Sequence, residues 1–356
     1  MKMKLVAVLM IAIELLSGGF YEKDVDNSVK FQNNVSAQEI YISKDNIGSF
    51  VQISECYDEE VEEHLNNGGV LIVADDVVVK EQVEEALNLK VRELPSDDKM
   101  AVVGSEITFY YKEGGVIATH EVFIADSETT TVEIVTEDVL EEIRTRQEYA
   151  TQDNVMAIDD EGAVLIARKT YSYICEPKGT LKAVYKVYTK QDILGLDHYL
   201  IKAEITGSPG ADLGELDTTY NTSYNGTKMA VRIESPTTSM SLVDGKPETV
   251  IGEDSIVINV GGTFGSEFSI EGGVSWTLDV NSVEINYSEA SPVANWGLVF
   301  NGDVKTEKYK FTPYVEYSCP ASKTSVVFDT YASYTLAAWY ASPETIELDK
   351  SFTCTP

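Results

Sequence analysis

The sequence predicts an α+β N-terminal domain followed by an all-β antiparallel sandwich that carries a long β-hairpin. Three observations lead to this fold class. Helix and strand patterns alternate over residues 46–150, helical patterns nearly disappear from residue 155 onward, and residues 255–280 alternate between apolar and polar over an unusual length. Short strands separated by turn residues, with few helices, are typical of sandwiches. We therefore predict the α+β domain over 46–150 and the sandwich over 155–356.

The first 19 residues have the features of an export signal. Lys2 and Lys4 precede an apolar run over 5–13, and small residues follow it. That run is too short to cross a bilayer as a helix, which takes about 20 residues. We predict a signal peptide over 1–19, a flexible lead over 20–45, and a secreted, extracellular protein.

The charge balance limits the partners that this chain can have. The 59 acidic residues outnumber the 27 basic ones, which gives a formal net charge of −32. A surface of this sign repels the phosphates of nucleic acids, and it disfavours docking on anionic lipids by charge alone. The composition therefore predicts a solvated acidic surface and no nucleic-acid partner.

The region 46–150 begins with short helices and a buried strand. Residues 58–65 form an acidic helical pattern, and Gly68-Gly69 follows where glycine commonly ends a helix. The apolar run 70–74 predicts a buried strand. Residues 80–89 are amphipathic with a helical period and predict a second helix.

The rest of this region predicts a hairpin and a longer helix. Residues 106–111 and 116–125 have strand patterns, and Lys-Glu-Gly-Gly over 112–115 supplies the turn. Residues 137–149 predict a helix. Thr136 is its expected N-cap, because a threonine oxygen at that position accepts a hydrogen bond from the first turn.

From residue 155 the chain is rich in tyrosine, valine and isoleucine, which favour strands. Residues 163–175, 180–190 and 198–205 predict strands of the sandwich. Residues 228–242 have a β pattern as well, and Asp-Gly-Lys-Pro over 244–247 is a turn sequence. We predict that 228–242 pairs with 255–280, so that the long hairpin spans 228–280.

The segment 255–280 has two different faces. Its even-numbered positions are mostly apolar and its odd-numbered positions mostly polar, and successive strand residues point to opposite faces. The apolar positions that could face a membrane are Ile256, Ile258, Val260, Phe264, Phe268, Ile270, Val274 and Trp276. The same pattern also fits a strand with its even face in the sandwich core and its odd face in water, bent at Gly261-Gly262 and Gly272-Gly273.

Two stretches of this region resemble a known family. The sequences IVINVGGTFGSEFSIEGGVSWTLDV (256–280) and NWGLVFNG (295–302) resemble the leukocidin/hemolysin-like β-pore-forming toxins. That family has a glycine-rich amphipathic stem strand, followed by a strand of the form G-W-x-V-x-F-N-N, which Trp296, Val299 and Phe300 approximate. The resemblance implies a sandwich with a hairpin that inserts on oligomerisation, a membrane or cell-surface ligand, and a homo-oligomer. The family has no counterpart of residues 46–150.

Two functions are therefore open at this point. A lipid-spanning strand needs about 9–11 residues of alternating character, and 256–276 supplies that length twice. Because no open strand edge can face lipid, such hairpins insert only as closed oligomers. The chain is then a leukocidin-like protein that binds surfaces and forms a pore. The alternative is an exported binding or adhesion protein that uses the sandwich as a scaffold, without pore formation.

Four cysteines suggest disulfides in an exported chain. Three pairings are possible. We favour Cys319 with Cys354, because both lie in the same β-rich tail, and then Cys56 with Cys175. Four buried thiols are the alternative.

No catalytic motif is present. The three histidines lack the spacing of a zinc hydrolase, and no GxSxG or P-loop sequence occurs. We predict a protein that is not an enzyme, with no catalytic residues, no cofactor and no metal site.

Overall fold

Strands dominate the part of the chain that the structure describes, and two helices of 10 and 22 residues accompany them, besides helical residues at 63–66. The structure is a computed structural model that describes residues 39–43, 63–74, 77–87, 89, 103–125, 132–153, 163–175, 178–191, 195–210, 224–247, 255–260, 274–279, 283–301, 307–320, 325–339 and 341–355.

The larger sheet, sheet A, has ten strands in the order β1-β2-β3-β4-β5-β6-β7-β15-β9, and β14 pairs with β7. It is mixed, because β1 with β2 and β4 with β5 are parallel whereas its other pairs are antiparallel. Its strands are β1 (Glu39–Ser43), β2 (Val70–Ala74), β3 (Val103–Glu113), β4 (Val116–Ala125), β5 (Val164–Cys175), β6 (Gly179–Gln191), β7 (Leu196–Pro209), β9 (Ser241–Lys246), β14 (Tyr309–Phe311) and β15 (Tyr314–Pro320).

The smaller sheet, sheet B, is antiparallel with the order β12-β13-β8-β16-β17. Its strands are β8 (Asn225–Glu234), β12 (Val283–Ala290), β13 (Val293–Phe300), β16 (Val326–Ala338) and β17 (Ala341–Cys354). Two further strands, β10 (Ser255–Val260) and β11 (Val274–Asp279), form a two-stranded sheet of their own.

The main core lies between sheets A and B. Alternate residues of β13 are buried, which is the period-2 pattern of a strand with one face in a core. Trp296 from sheet B packs against Phe311 from sheet A, and Phe328 from sheet B packs against Tyr199 and Tyr317 from sheet A. The shared core confirms the predicted sandwich.

The two helices cover opposite faces of sheet A near its β1 edge. Helix α1 (Val77–Ala86) lies on the face that carries Leu71 and Val73, and helix α2 (Val132–Asp153) lies on the face that carries Ile72. Strand β2 is therefore buried on both sides, which explains why its sequence is continuously apolar. Helix α2 also forms the crossover between the parallel strands β4 and β5.

Several predicted elements agree closely with the structure. Strands β2 and β4 have the predicted bounds, and the turn between β3 and β4 places Gly114 and Gly115 at positive φ. The prediction for α2 was wrong at its start, because the helix begins at Val132. Thr136 is inside the helix and donates a hydrogen bond to the Val132 carbonyl over 2.6 Å. Val135 packs in the core with the rest of α2, so the helix extends one turn further than expected.

The N-terminal predictions fall partly outside the described residues. The predicted signal peptide over 1–19 lies outside the described residues. Residues 39–43, which belong to the predicted flexible lead, form strand β1. Strand β4 belongs to the predicted α+β domain and β5 to the predicted sandwich, yet the two strands pair in one sheet. The division of the chain into two domains stays a prediction. Neither helix of the described chain combines the length and apolar character that a membrane span needs.

Candidate functional site: the β10–β11 hairpin and its anchors

The amphipathic segment folds back on itself. Strands β10 and β11 pair antiparallel from Ser255 opposite Asp279 to Val260 opposite Val274. This pairing corrects the predicted hairpin over 228–280, because β8 pairs instead with β13 and β16, and β9 pairs with β15. The physical reason is that alternate residues of β8 are buried in the core, in the middle of sheet B. Both edges of β8 are occupied, so the hairpin spans Ser255–Asp279.

The register matches the two-faced pattern of the sequence. Even-numbered residues pair with even-numbered ones, as in Ile256 opposite Leu278. Residues directly opposite in an antiparallel pair share one face. Five candidate membrane-facing residues therefore belong to one face of the ribbon: Ile256, Ile258, Val260, Val274 and Trp276. The other three, Phe264, Phe268 and Ile270, lie outside the described residues, and the membrane-facing role of the whole set stays a prediction.

Within the described chain, the backbone of β10 and β11 pairs with no strand of sheet A or sheet B. A two-stranded hairpin alone is at best marginally stable in water, since it has neither a third strand nor a core to bury one face. The backbone pairing of this hairpin is therefore independent of sheets A and B.

The chain that enters the hairpin is fixed to sheet B by a buried tryptophan. The Trp296 indole Nε1–H donates to the Pro247 carbonyl over 2.8 Å, one residue after β9 ends. Trp296 is almost completely buried, and its ring centroid lies 5.2 Å from that of Tyr287. Buried polar groups are nearly always hydrogen-bonded, so this bond between the indole and the carbonyl holds the chain at Pro247.

The chain that leaves the hairpin is fixed by β12. Val283 and Ile285 are buried in the main core, and Val283 lies opposite Phe300 of β13. The hairpin is thus bounded by two attachments to the same strand of sheet B, one at Pro247 and one at Val283.

An exposed indole lies at the same end of sheet B. The register aligns Thr335 with Lys228, Lys228 with Val299, and Val299 with Glu284. The start of β12 and the end of β16 are therefore at one end of the sheet. Trp339, in the turn between β16 and β17, is 86% exposed there. In the sequence Trp339 belongs to an aromatic-rich tail that suits either a wet interface or strand packing. Its place in a turn between two long strands distinguishes it from the buried aromatics of that tail.

A buried ionic cluster ties the two sheets together on the inner face of sheet A. The Glu121 carboxylate on β4 lies 3.0 Å from the Lys80 ammonium of α1 and 3.2 Å from the Lys350 ammonium of β17. Burial alone would raise the pKa of Glu121, but the two ammonium groups outweigh it and lower the pKa to about 2. The cluster joins α1, sheet A and sheet B electrostatically.

One pair in the structure superficially resembles a nucleophile with its base. His120 Nε2 lies 2.8 Å from the Ser172 hydroxyl, and both residues are buried. Burial, followed by the nearby Lys182, lowers the pKa of His120 to about 3. So weak a base does not activate a serine at neutral pH. Across the described residues, no group of three or more side chains is arranged to hold a metal ion.

The cysteines depart from the favoured pairing. Cys319 on β15 and Cys354 on β17 are both buried in the core, and no disulfide joins them. Burial raises the pKa of the Cys354 thiol to about 12, which makes it a poor nucleophile for disulfide formation. Reduced thiols pack in such a core as small apolar groups. Cys175 also carries a thiol, and Cys56 lies outside the described residues.

The sequence matches no protein family and no curated protein. Among solved structures, the chain is similar to one described as "Pore forming protein", with a TM-score of 0.34 and 8% identity over 54% of this chain and 91% of that chain. It is also similar to Clostridium perfringens delta-toxin, with a TM-score of 0.31 and 9% identity over 54% of this chain and 88% of that chain. Similarities this low carry no functional conclusion.

Proposed function

We propose that this chain is an exported, non-enzymatic, leukocidin-like β-protein that binds membrane surfaces and oligomerises into a pore, with the hairpin Ser255–Asp279 as the inserting element. The observation that carries the proposal is the even-to-even register of β10 and β11. Apart from Val257, which lies opposite Thr277 on the odd face, this register puts the apolar residues of both arms on one face and the polar residues on the other.

The dimensions of the hairpin support this role. A tilted strand crosses the hydrocarbon layer with about 9–11 residues. The interval from 255 to 279 is long enough for two such arms and a turn. The even face would contact lipid, and the odd face, with Asn259 and Ser275, would line a water-filled lumen.

Oligomerisation follows from the hydrogen-bonding needs of the backbone. A single inserted hairpin would expose two rows of unpaired N–H and C=O groups to lipid, and each unpaired group costs several kcal/mol there. Hairpins from several copies satisfy these groups only by pairing in a closed ring. The two attachments at Pro247 and Val283 would hold the rest of each subunit in place while its hairpin exchanges partners.

The position of Trp339 supports an orientation on the membrane. Tryptophan is favoured at lipid headgroups, where its ring is buried and its N–H stays hydrated. Trp339 lies at the end of sheet B where the hairpin joins β12. This end is therefore the one that we propose to face the bilayer.

Two neighbouring substitutions test the proposal with matched charge. Ile258→Asp places a carboxylate on the even face, and Asn259→Asp places one on the odd face. We expect the intact protein to release dye from liposomes, Ile258→Asp to abolish release, and Asn259→Asp to retain it. Sedimentation with the vesicles checks that both variants still bind, and circular dichroism checks that both still fold.

The outcomes separate the two functions. Equal release by both variants would contradict insertion of this hairpin. Vesicle binding by the intact protein without any release would support the alternative, an exported binding or adhesion protein whose sandwich is a rigid scaffold.

A further inference from the structure

A shallow groove crosses the face of sheet B that points away from sheet A. Gly297 of β13 lies directly opposite Asn286 of β12 on one side and Ala230 of β8 on the other. Ala230 in turn lies opposite Ser333 of β16. Directly opposite residues share a face, and Leu298, which follows Gly297, is buried in the core. The row of four therefore faces outward, and it forms part of a groove of about 260 Å³, the sheet B groove.

Neither backbone conformation nor packing requires a glycine at the centre of this groove. Gly297 does not have a positive φ, and a Cβ atom built on it would have no heavy atom within 4 Å. Gly226 of β8 differs, because a Cβ atom there would overlap the Tyr334 side chain. Glycine inside a strand weakens the strand and often marks a site where a ligand approaches the backbone closely. Gly297 thus leaves open space above the backbone for which packing gives no reason.

Two polar side chains at the groove have hydrogen-bonding groups that the described chain does not use. Asn286 and Lys228 are exposed, and neither side chain forms a hydrogen bond or an ion pair with a described residue. A carboxamide both donates and accepts, and an ammonium group donates three hydrogen bonds. The Thr335 hydroxyl lies 3.1 Å from that of Thr345, and Val299 contributes apolar surface. The groove therefore combines free donors, free acceptors and apolar contact area.

The charges on this face disfavour two classes of ligand. Among the described residues that line the groove only Lys228 is charged, so a metal ion or another cation would lie beside an ammonium group. Carboxylates outnumber cations on the outward face of the described strands of sheet B, which disfavours a phosphate or another anion. The cations are Lys228 and Arg232, and the carboxylates are those of Glu234, Glu284, Asp329, Glu347 and Asp349. The groove is therefore best matched to a neutral ligand.

We propose that the sheet B groove binds a neutral sugar residue, such as the terminal hexose of a glycan. Sugar hydroxyls both donate and accept hydrogen bonds, which suits Asn286 and Lys228, and the C–H face of a sugar ring packs on apolar surface such as Val299. The volume of the groove is just below the roughly 300–1,000 Å³ of sites for drug-sized molecules, and it suits a single ring. Sugar binding needs neither membrane insertion nor oligomerisation, so it is a function beyond pore formation.

The test uses the full chain made in bacteria, because Asn286-Tyr287-Ser288 is an N-glycosylation sequon and a glycan there would block the groove. Saturation-transfer NMR titrations with galactose, glucose, mannose and N-acetylglucosamine should detect binding of at least one of these sugars. Gly297→Val should weaken that binding by about tenfold or more, because the valine fills the open space above the backbone. The same variant should melt no lower than the intact protein, since valine favours strands.

Ser288→Val is the matched control, because it adds the same side chain to an exposed position of β12 outside the groove. Its affinity for the sugar should equal that of the intact protein. Asn286→Ala should weaken binding by about fivefold, because it removes one or two hydrogen bonds to the sugar hydroxyls.

Absence of binding by all four sugars would overturn the proposal, and so would equal affinities of the intact protein and Gly297→Val. Tighter binding of glucose 6-phosphate than of glucose would contradict a neutral site. Ile258→Asp should still bind the sugar, and Gly297→Val should still release dye from phosphatidylcholine vesicles, which carry no sugar. Failure of sugar binding and failure of pore formation are therefore recognised separately.

Discussion

The hairpins β16–β17 and β10–β11 share an antiparallel ladder but differ in strand length and in the strands that pair beside them. Strands β16 and β17 have 13 and 14 residues, β16 pairs on its other side with β8, and Phe328 and Phe352 are buried between the sheets. Strands β10 and β11 have six residues each and pair only with each other in the described chain.

We infer from this difference that adjacent strands and buried side chains stabilise a hairpin more than its own backbone hydrogen bonds do. Burying a large apolar side chain stabilises a fold by about 1.5–3 kcal/mol, whereas a backbone hydrogen bond exchanged for one with water contributes about 1 kcal/mol or less. A hairpin without a core can therefore change its partners at low cost. Substitutions in the two hairpins, and in the contacts that hold them, test this contrast.

The largest contrast should come from truncating one residue in each hairpin. We expect Phe328→Ala to lower the free energy of unfolding by about 3–5 kcal/mol, since it leaves a cavity among Tyr199, Tyr317 and Phe352. Ile258→Ala should lower it by less than about 1 kcal/mol. Urea denaturation followed by circular dichroism measures both, and a similar loss for the two variants would show that β10–β11 is packed as firmly as β16–β17.

The second prediction concerns the ionic cluster that attaches β17 to β4. The folded-state pKa of Glu121 is about 2, below its ordinary value of 4.5, so its contribution is present above pH 4.5 and is lost as the pH falls toward 2. The loss is on the order of 3 kcal/mol. Unfolding by urea across this range should show it, and Glu121→Gln should be less stable at neutral pH and lack this acid-dependent loss.

The neighbouring Glu84 should give the opposite trend at higher pH. Burial raises its pKa to about 6, so the stability linked to it is complete below pH 4.5 and falls as the pH rises through 6. Glu84→Gln should remove this trend but keep the loss below pH 4.5. If the free energy of unfolding did not rise as the pH is lowered from 7 toward 5, the buried placement of Glu84 would be contradicted.

The fourth prediction addresses the attachment of the hairpin. Trp296→Phe removes the donor to the Pro247 carbonyl and should cost about 1–3 kcal/mol, because the buried acceptor is left unpaired. Hydrogen exchange in β10 and β11 should accelerate. As a control in the other hairpin, Tyr331→Phe removes the hydroxyl that donates to Glu347 and should change stability by less than about 0.5 kcal/mol. Unchanged exchange in Trp296→Phe would mean that Pro247 is held by other contacts.

The smallest effect on stability should come from Trp339→Ala. The indole is 86% exposed, so the free energy of unfolding should change by less than about 0.5 kcal/mol. Binding to phosphatidylcholine vesicles should weaken by about tenfold, which corresponds to 1.4 kcal/mol. Ile134→Ala, at another exposed apolar residue, serves as the control. Equal binding by both variants would exclude Trp339 as a membrane contact.

Local patterns predicted the sandwich and many of its strands, but they did not predict how the strands pair. The apolar run of β2 is determined by neighbours in the sequence, and this strand was predicted with its bounds. A strand near β13 was implied only by the family resemblance of 295–302. The strands that pair with β8 are β13 and β16, which follow it at a distance in the chain. Local sequence patterns do not specify such distant partners.

The sequence by itself determined the two-faced character of 255–279, since side-chain direction along a strand follows from backbone geometry alone. Only the tertiary structure decided that this segment pairs with itself, that Cys319 and Cys354 stay reduced in the core, and that Trp339 is exposed while Trp296 is buried. The reason is that pairing and burial depend on residues distant in the chain, which compete for the same edges and the same core volume.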